Sequence, residues 1–287
     1  MVQPIFSLAD VHYSYEKTIP ALRGLSLDIH RGERTAVIGA NGSGKSTMLA
    51  LLDALIFPDA GSMHFDGRPI TPAAMRDAAF QREFRLRVGY VFQNPDVQLF
   101  CPTVREDILF GPLQLGVPTA EIDRRFERVV DLFKLAPLLD RSCHHLSIGE
   151  KKKAAIASVL VIEPEVLLLD EPTAGLDPQT TRDIIAVLQE AHKNGKTVIM
   201  ATHDLHIVEE IADTIHVFGT GRAIIRSGTS EEILEDREFL QNNNLVHILV
   251  HRHRHGGHIH EHVHEHIHEH EKGVEDSKDS KDSKESN

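Results

Sequence analysis

The chain has only two cysteines, Cys101 and Cys143, and no C-x-x-C pair. A disulfide scaffold is therefore excluded, and two unclustered thiols fit a reducing compartment. No apolar run approaches the ~18–20 residues needed to span a bilayer, so any work at a membrane requires another chain to supply the membrane part. The opening MVQPIFSLAD has no basic stretch followed by an apolar one, and no signal peptide is expected. Positive charge is scarce as well: 31 Lys+Arg face 43 Asp+Glu, a net charge of −12. Residues 251–287 hold nine acids and six Lys/Arg, or −3, which leaves −9 on the body. An acidic body argues against a nucleic-acid partner, which would need a basic surface.

What is present suits a packed domain. The 287 residues are 41% hydrophobic and 26% charged, enough for a sizeable core. A strand-rich start, IFSLADVHYSY and then LSLDI, leads into RTAVIGANGSGKSTMLALLDAL. Residues 35–38, 166–170 (VLLLD) and 197–203 (TVIMATH) are short apolar runs, as in buried strands. Residues 45–56 and 180–193 read as helices. This alternation predicts a mainly parallel α/β sheet. Residues 119–135 interrupt it with an amphipathic helix, whose apolar face carries Ile122, Phe126, Val129, Val130 and Phe133. Residues 94–160 are expected to form a mostly helical insertion. Thr229 and Glu232 make a T-x-x-E capping box that starts a further helix near 230. The body, 1–247, is followed by a His-rich tract over 248–270. Residues 271–287, with EDSKDSKDSKES, have almost nothing to bury and are expected to be disordered.

The stretch GANGSGKST matches G-x-x-x-x-G-K-[ST] from Gly39 to Ser46. Glycines let backbone N–H groups turn inward around a phosphate chain, and the following helix adds its positive end. Gly39, Asn41, Gly42, Ser43, Gly44 and Thr47 belong to this loop. Lys45 would reach the β- and γ-phosphates, and the Ser46 hydroxyl would ligate Mg²⁺. VLLLDEP supplies the second half: Asp170 at the end of a buried strand to hold the Mg²⁺ shell, and Glu171 to polarise water for attack on the γ-phosphate. Ligands of open α/β sheets sit beyond such strand ends.

LSIGEKKKAAIA (146–157), just ahead of VLLLDEPTAGLD, resembles the LSGGQ helix of ATP-binding-cassette ATPases, and the likeness runs in order over most of residues 5–245. It implies a P-loop fold with a mainly parallel core sheet, an N-terminal antiparallel part and a helical subdomain over about 94–160. It implies ATP and Mg²⁺ as ligands. Tyr15 resembles the aromatic residue that stacks on adenine, with Tyr13 its competitor. Gln93, in VFQNP, resembles the glutamine that touches Mg²⁺ and the attacking water. Ser147 and Gly149 resemble the signature residues that clamp the γ-phosphate from the opposite subunit. Asp177 resembles the aspartate at the dimer seam, and His203, in ATHD, the histidine that orients the hydrolytic water. The partner implied is a second ATPase subunit, with identical chains the expected arrangement. Two departures stand out. Ile148 replaces the first glycine of the usual pair, which predicts altered affinity. Glu150 replaces the glutamine and brings negative charge toward the phosphate site, to be offset by a base such as Lys153.

The wording of VFQNPDVQLFCPTVREDILFGPLQLGV (91–117) resembles more closely the ATPases of energy-coupling-factor importers, particularly their cobalt/nickel group. That likeness implies a transmembrane scaffold subunit, a substrate-binding membrane subunit, and a peripheral place on the cytoplasmic face of the membrane. Leu99, Phe100, Val104 and Phe110 are the apolar candidates for the docking surface, against the plain reading that they are core.

The tail holds a ruler of imidazoles. His258, His260, His262, His264, His266, His268 and His270 alternate with Ile, Glu and Val. In an extended strand they share one face, about 6.5–7 Å apart. Neutral imidazole suits Ni²⁺ and Co²⁺, among other ions. The tract is expected to handle transition metal; a solvated spacer with incidental metal affinity is the alternative. The resulting expectation is a cytoplasmic ATPase energising a cobalt or nickel importer. A vitamin or other small-solute importer is the runner-up. A non-transport cassette ATPase is disfavoured, because only 54 positions separate Gln93 from Ser147.

Overall fold

The computed structural model describes residues 3–255 and 258–266. The chain divides into two units, Met1–Leu245 and Val246–Asn287. In chain order the first unit begins with β1 (Phe6–Tyr15), β2 (Ile19–Ile29), β3 (Arg34–Gly39), α1 (Lys45–Leu52), β4 (Ala60–Phe65) and β5 (Arg68–Pro69). It continues with α2 (Ala78–Arg87), β6 (Val88–Val91), α3 (Val104–Gln114), α4 (Thr119–Phe133), α5 (Ile148–Leu160) and β7 (Val166–Asp170). It closes with α6 (Pro178–Lys193), β8 (Thr197–Ala201), α7 (Leu205–Ile211), β9 (Thr214–Phe218), β10 (Ile224–Thr229), α8 (Ser230–Leu234) and α9 (Arg237–Asn242). The second unit contains β11 (His247–His255) and β12 (His258–His266), an antiparallel pair.

A six-stranded sheet in the order β10-β9-β3-β8-β7-β6 forms the centre. Its strands are parallel except β10. Every residue of β7 and β8 is buried, as the unbroken runs VLLLD and TVIMA require for strands covered on both faces. A second sheet, β2-β1-β4-β5, is wholly antiparallel. Here the alternation is looser, and β1 carries three register shifts against β2. This is the α/β P-loop architecture, with its antiparallel N-terminal part and a helical segment between β6 and β7.

The helical segment is built from local signals. Thr103 and Glu106 cap α3 reciprocally. In α4, Ile122, Val129, Val130 and Phe133 are buried; the last three belong to a cluster that includes residues of α5 and α6, and Phe126 packs half-buried against it. Full burial of each such side chain contributes about 1.5–3 kcal/mol relative to exposure. Thr229 and Glu232 form the expected capping box at α8. Helix α1 ends at Leu52, short of 56. Ala54 takes φ +52°, and the Ala54 and Leu55 N–H groups bond back to the Leu51 and Ala50 carbonyls, closing the last turn. The tail 271–287, with its expected disorder, lies outside the described residues, as do His268 and His270.

Candidate active site

Sheet order explains how residues far apart in sequence meet. From the middle outward the strands run β3, β8, β7, β6. Their registers align Val37 with Ala201, Ala201 with Asp170, and Leu169 with Val91. Four carboxyl ends therefore stand in a row. They carry the glycine-rich loop after β3, Thr202 and His203 after β8, Glu171 after β7, and Gln93 after β6. A cleft of about 490 Å³ opens there, lined by Tyr15, Asn41, Gly42, Gly44, Lys45, Ser46, Thr47, Gln93, Asp170 and Glu171, with Ile19, Ala21 and Arg222 at its margin.

The loop is shaped for close backbone approach. Gly44, at φ +116°, caps α1 without any side-chain cap, so the first N–H groups of the helix stay open. A Cβ at Gly44 would sit 2.7 Å from the Ala21 carbonyl oxygen, which only glycine tolerates. Lys45 is buried, and its Nζ donates to the carbonyls of Gly39 (2.7 Å) and Ala40 (3.3 Å). Burial lowers its pKa, against the raising fields of Glu171 and Asp170. An anion of high charge is the natural partner for an ammonium held this way. Tyr15 is 44% exposed, lines the cleft and meets the Thr47 hydroxyl at 3.2 Å. Tyr13 packs edge-on against it, 5.0 Å between centroids, and does not line the cleft. Ser43, also in the loop, does not line the cleft, and its Oγ is buried without a hydrogen-bond partner.

Opposite the loop stand two carboxylates with different surroundings. Asp170 is buried and its Oδ1 has no hydrogen-bond partner. Burial raises its pKa, while a hydrogen bond from Ser46 opposes the shift. An orphaned buried carboxylate oxygen beside a serine hydroxyl has the donor chemistry of a Mg²⁺ site, so these residues fit that ion. Glu171 is fully engaged. Its Oε2 accepts from the Thr202 hydroxyl at 3.0 Å, and its Oε1 lies 2.8 Å from His203 Nδ1. The hydrogen bond to Glu171 raises the His203 pKa. Glu171 also has φ +43°, a left-handed backbone that costs a non-glycine residue about 1–3 kcal/mol. Such strain is characteristic of sites where side-chain aim outweighs stability.

Ser147, Gly149 and Asp177 do not line this cleft. Ser147 caps α5 and Asp177 caps α6, each at an exposed helix start. The two starts are neighbours: a Cβ on Gly149 would meet Thr180 Oγ1 at 3.3 Å and Asp177 Oδ2 at 3.8 Å. Ile148 is 57% exposed beside them. Glu150 has a partner that the sequence reading did not name. Its Oε2 accepts from the Ser147 N–H at 2.7 Å while Ser147 Oγ accepts from the Glu150 N–H, a capping box that lowers the carboxyl's pKa. Its charge is thus compensated chiefly by its own helix. Lys153, the base expected to offset it, pairs with Asp183 at 2.6 Å and adds a smaller field that favours the charge on Glu150.

Sequence reasoning missed three residues here. Thr202 holds Glu171, and Arg222 borders the cleft at φ +64°. Lys152 is the third: it is 1% exposed, and its Nζ donates to the carbonyls of Phe92 (3.1 Å) and Gln93 (2.7 Å). Burial lowers its pKa to about 8, while Asp170 and Glu171 pull it upward. Lys152 thus ties the signature helix to the backbone that carries Gln93. Lys152→Met should leave two carbonyls unpaired, which costs about 1–3 kcal/mol of stability. It should also slow turnover about tenfold or more by displacing Gln93. Chemical denaturation and steady-state ATPase assays read the two effects. Unchanged turnover in a destabilised protein would leave Lys152 a purely structural role.

Of the four apolar docking candidates, Leu99 and Val104 belong to the core. Phe100 and Phe110 are 66% and 41% exposed and touch edge-to-face at 4.9 Å. Val97 and Leu113 in the same segment are exposed too. A larger cleft, about 700 Å³, lies between α4 and α6, and three of the charged groups that line it are engaged: Arg128 pairs with Glu163, and Lys196 donates to the Pro164 carbonyl.

Comparison with known proteins follows the same lines. Residues 22–174 match the ABC transporter family. The Nickel import ATP-binding protein NikO of Rhodobacter capsulatus is 50% identical over 85% of this chain and 96% of its own length. The Energy-coupling factor transporter ATP-binding protein EcfA of Methanothermobacter thermautotrophicus is 43% identical over 84% of this chain and 76% of its own. Among solved structures, cbiO1 of Clostridium perfringens, part of the ABC transporter complex cbiONQ, superposes with a TM-score of 0.71 at 38% identity, covering 85% of this chain and 95% of that one.

Proposed function

We propose, on the premise that this chain belongs to the ABC transporter family as one of its ATP-hydrolysing subunits, that it energises a membrane importer of a transition-metal ion, nickel or cobalt. The observation that carries this reading is the 50% identity, over nearly the whole body, to a nickel import subunit. The likeness to an energy-coupling-factor subunit supports the second reading, an importer of a vitamin or other small solute, because the membrane subunits choose the substrate.

The hydrolytic step follows from the residues of the cleft. Lys45 exchanges its bonds to the Gly39 and Ala40 carbonyls for the β- and γ-phosphates. Tyr15 stacks on the adenine. Ser46, Asp170 and Gln93 would hold Mg²⁺, which neutralises phosphate charge. Glu171 takes the proton of the attacking water, and His203 beside it positions that water against the γ-phosphate. Ser147 and Gly149, outside the cleft, serve the nucleotide of a second copy, with Asp177 at the seam. ATP then joins two subunits, and loss of the γ-phosphate releases them, which biases a two-state interface.

Among the described residues no helix is long and apolar enough to cross a membrane. A transmembrane scaffold subunit would dock on Val97, Phe100, Phe110 and Leu113, holding the chain at the cytoplasmic face beside a substrate-binding membrane subunit. Exposed aromatic pairs of this kind anchor interfaces. Phe100→Asp combined with Phe110→Asp should abolish co-purification with the membrane subunits while the isolated chain still binds ATP. Retained co-purification would move the docking surface elsewhere. The His-rich tract would buffer the ion delivered by the importer. Removal of 251–287 should alter metal retention and leave hydrolysis largely intact.

The deciding experiment is ATP-dependent uptake of radioactive cobalt and nickel by the reconstituted complex, wild type against Glu171→Gln. Uptake of either ion by wild type alone supports the reading. ATP turnover with no uptake of either ion would favour the small-solute importer.

A further inference from the structure

We propose that Arg222, in the turn between β9 and β10, binds the α-phosphate of the nucleotide. The inference deepens the reading of the cleft as an ATP site and rests on that reading. It gives a task to a cation that the hydrolytic step above does not use.

Position carries the argument first. The turn, residues 219–223, abuts the glycine-rich loop through Phe218, the last residue of β9. A Cβ on Gly39 would meet the Phe218 carbonyl oxygen at 2.8 Å, and one on Gly44 would meet the Phe218 ring at 3.5 Å. The turn is also fastened on both sides of Arg222. Its N–H donates to the Gly219 carbonyl at 3.1 Å, and its carbonyl accepts from the Arg23 N–H of β2 at 3.0 Å. Farther along β2, Ile19 and Ala21 line the cleft together with Arg222. Ile19 is also the register partner of Tyr15. Arg222 thus borders the cleft on the strand that adjoins Tyr15, the base end. Lys45, Asp170, Glu171 and Gln93 serve the other end, where the γ-phosphate reacts.

Charge and backbone conformation carry it further. Arg31, Arg34, Arg87 and Arg125 each pair with an acid. The half-buried Arg222 has no side-chain hydrogen bond or ion pair among the described residues. Its φ of +64° lies in the left-handed region, where glycine or asparagine is the easier choice. Strained backbone of this kind clusters where a side chain serves a ligand. What the arginine brings is a planar fork of donors that matches two oxygens of one phosphate. With adenine against Tyr15 and the β- and γ-phosphates on Lys45, the α-phosphate is the anion left nearest the base, and the one this margin serves.

The test is calorimetric titration of the full-length chain with ADP, ATP and GTP in Mg²⁺, for wild type, Arg222→Gly and Arg222→Lys. Glycine takes φ +64° without strain, so Arg222→Gly should keep its fold, checked by thermal melting. It should bind ADP and ATP more weakly by the same factor, about tenfold or more for loss of a charge-assisted hydrogen bond. Arg222→Lys keeps the charge without the fork and should fall between. The ratio of ATP to GTP affinity should stay as in wild type. In steady-state assays KM should rise while kcat stays within about twofold, the signature of an interaction equal in ground and transition states. Wild-type affinity for ADP and ATP in Arg222→Gly overturns the proposal. So does a loss confined to ATP, which would place the guanidinium at the γ-phosphate, or a changed ATP-to-GTP ratio, which would place it at the base. A wild-type chain that binds none of the three nucleotides would remove the reading of the cleft itself, and this inference with it.

Discussion

Glu171→Gln should lower ATP turnover by about 10²–10⁴-fold, the range for loss of a positioned general base, while ATP stays bound. Shape is preserved: Gln can still accept from Thr202 and face His203, so the fold and the cleft persist. What is lost is the carboxylate proposed to take the proton from water. The variant also removes the group that raises the His203 pKa. The sign follows from linkage. A histidine whose folded-state pKa is raised adds stability below its unfolded pKa of about 6.5, and this is lost as pH rises through the folded value. In Glu171→Gln the His203 titration, followed by NMR, should shift to lower pH, and that pH-dependent stability should disappear. A variant with rapid multiple turnover would remove Glu171 from the reaction.

Ser147→Arg should abolish turnover, by about 10² or more if it removes a γ-phosphate donor, yet leave ATP affinity of the isolated chain unchanged. The reason is geometric. Ser147 is exposed at the start of α5 and does not line the cleft that contains Lys45. Its only local duty is the capping box with Glu150, whose loss costs about 1 kcal/mol. A substitution that spares binding in one chain but stops catalysis identifies a residue that acts on another chain's nucleotide. Nucleotide titration of the monomer and steady-state ATPase assays separate the two quantities. Equal loss of both would place Ser147 in its own chain's site.

The glycine-rich loop and both buried acids were legible because their chemistry is local: a loop between strand and helix, and a strand ending in two acids. Tyr15, Gln93 and His203 came through resemblance, and sheet order explains why residues so far apart converge. Glu150 reads in sequence as a negative charge near the phosphate site, and it also completes the same S/T-x-x-E pattern found at Thr229 and Glu232. Lys152 and Lys153 sit side by side in a run of three lysines, and nothing local separates the buried one from the ion-paired one. Residues 99–110 mix core and surface because a loop precedes α3, so periodicity could not divide Leu99 and Val104 from Phe100 and Phe110.

Coupling of hydrolysis to motion depends on one triphosphate being held by two chains. A structure of Glu171→Gln grown with ATP and Mg²⁺ tests it most directly. Two copies should lie head to tail, each nucleotide within hydrogen-bond reach of Lys45 from one copy and Ser147 from the other. Nucleotides each touched by a single chain, with both α5 starts facing solvent, would contradict it.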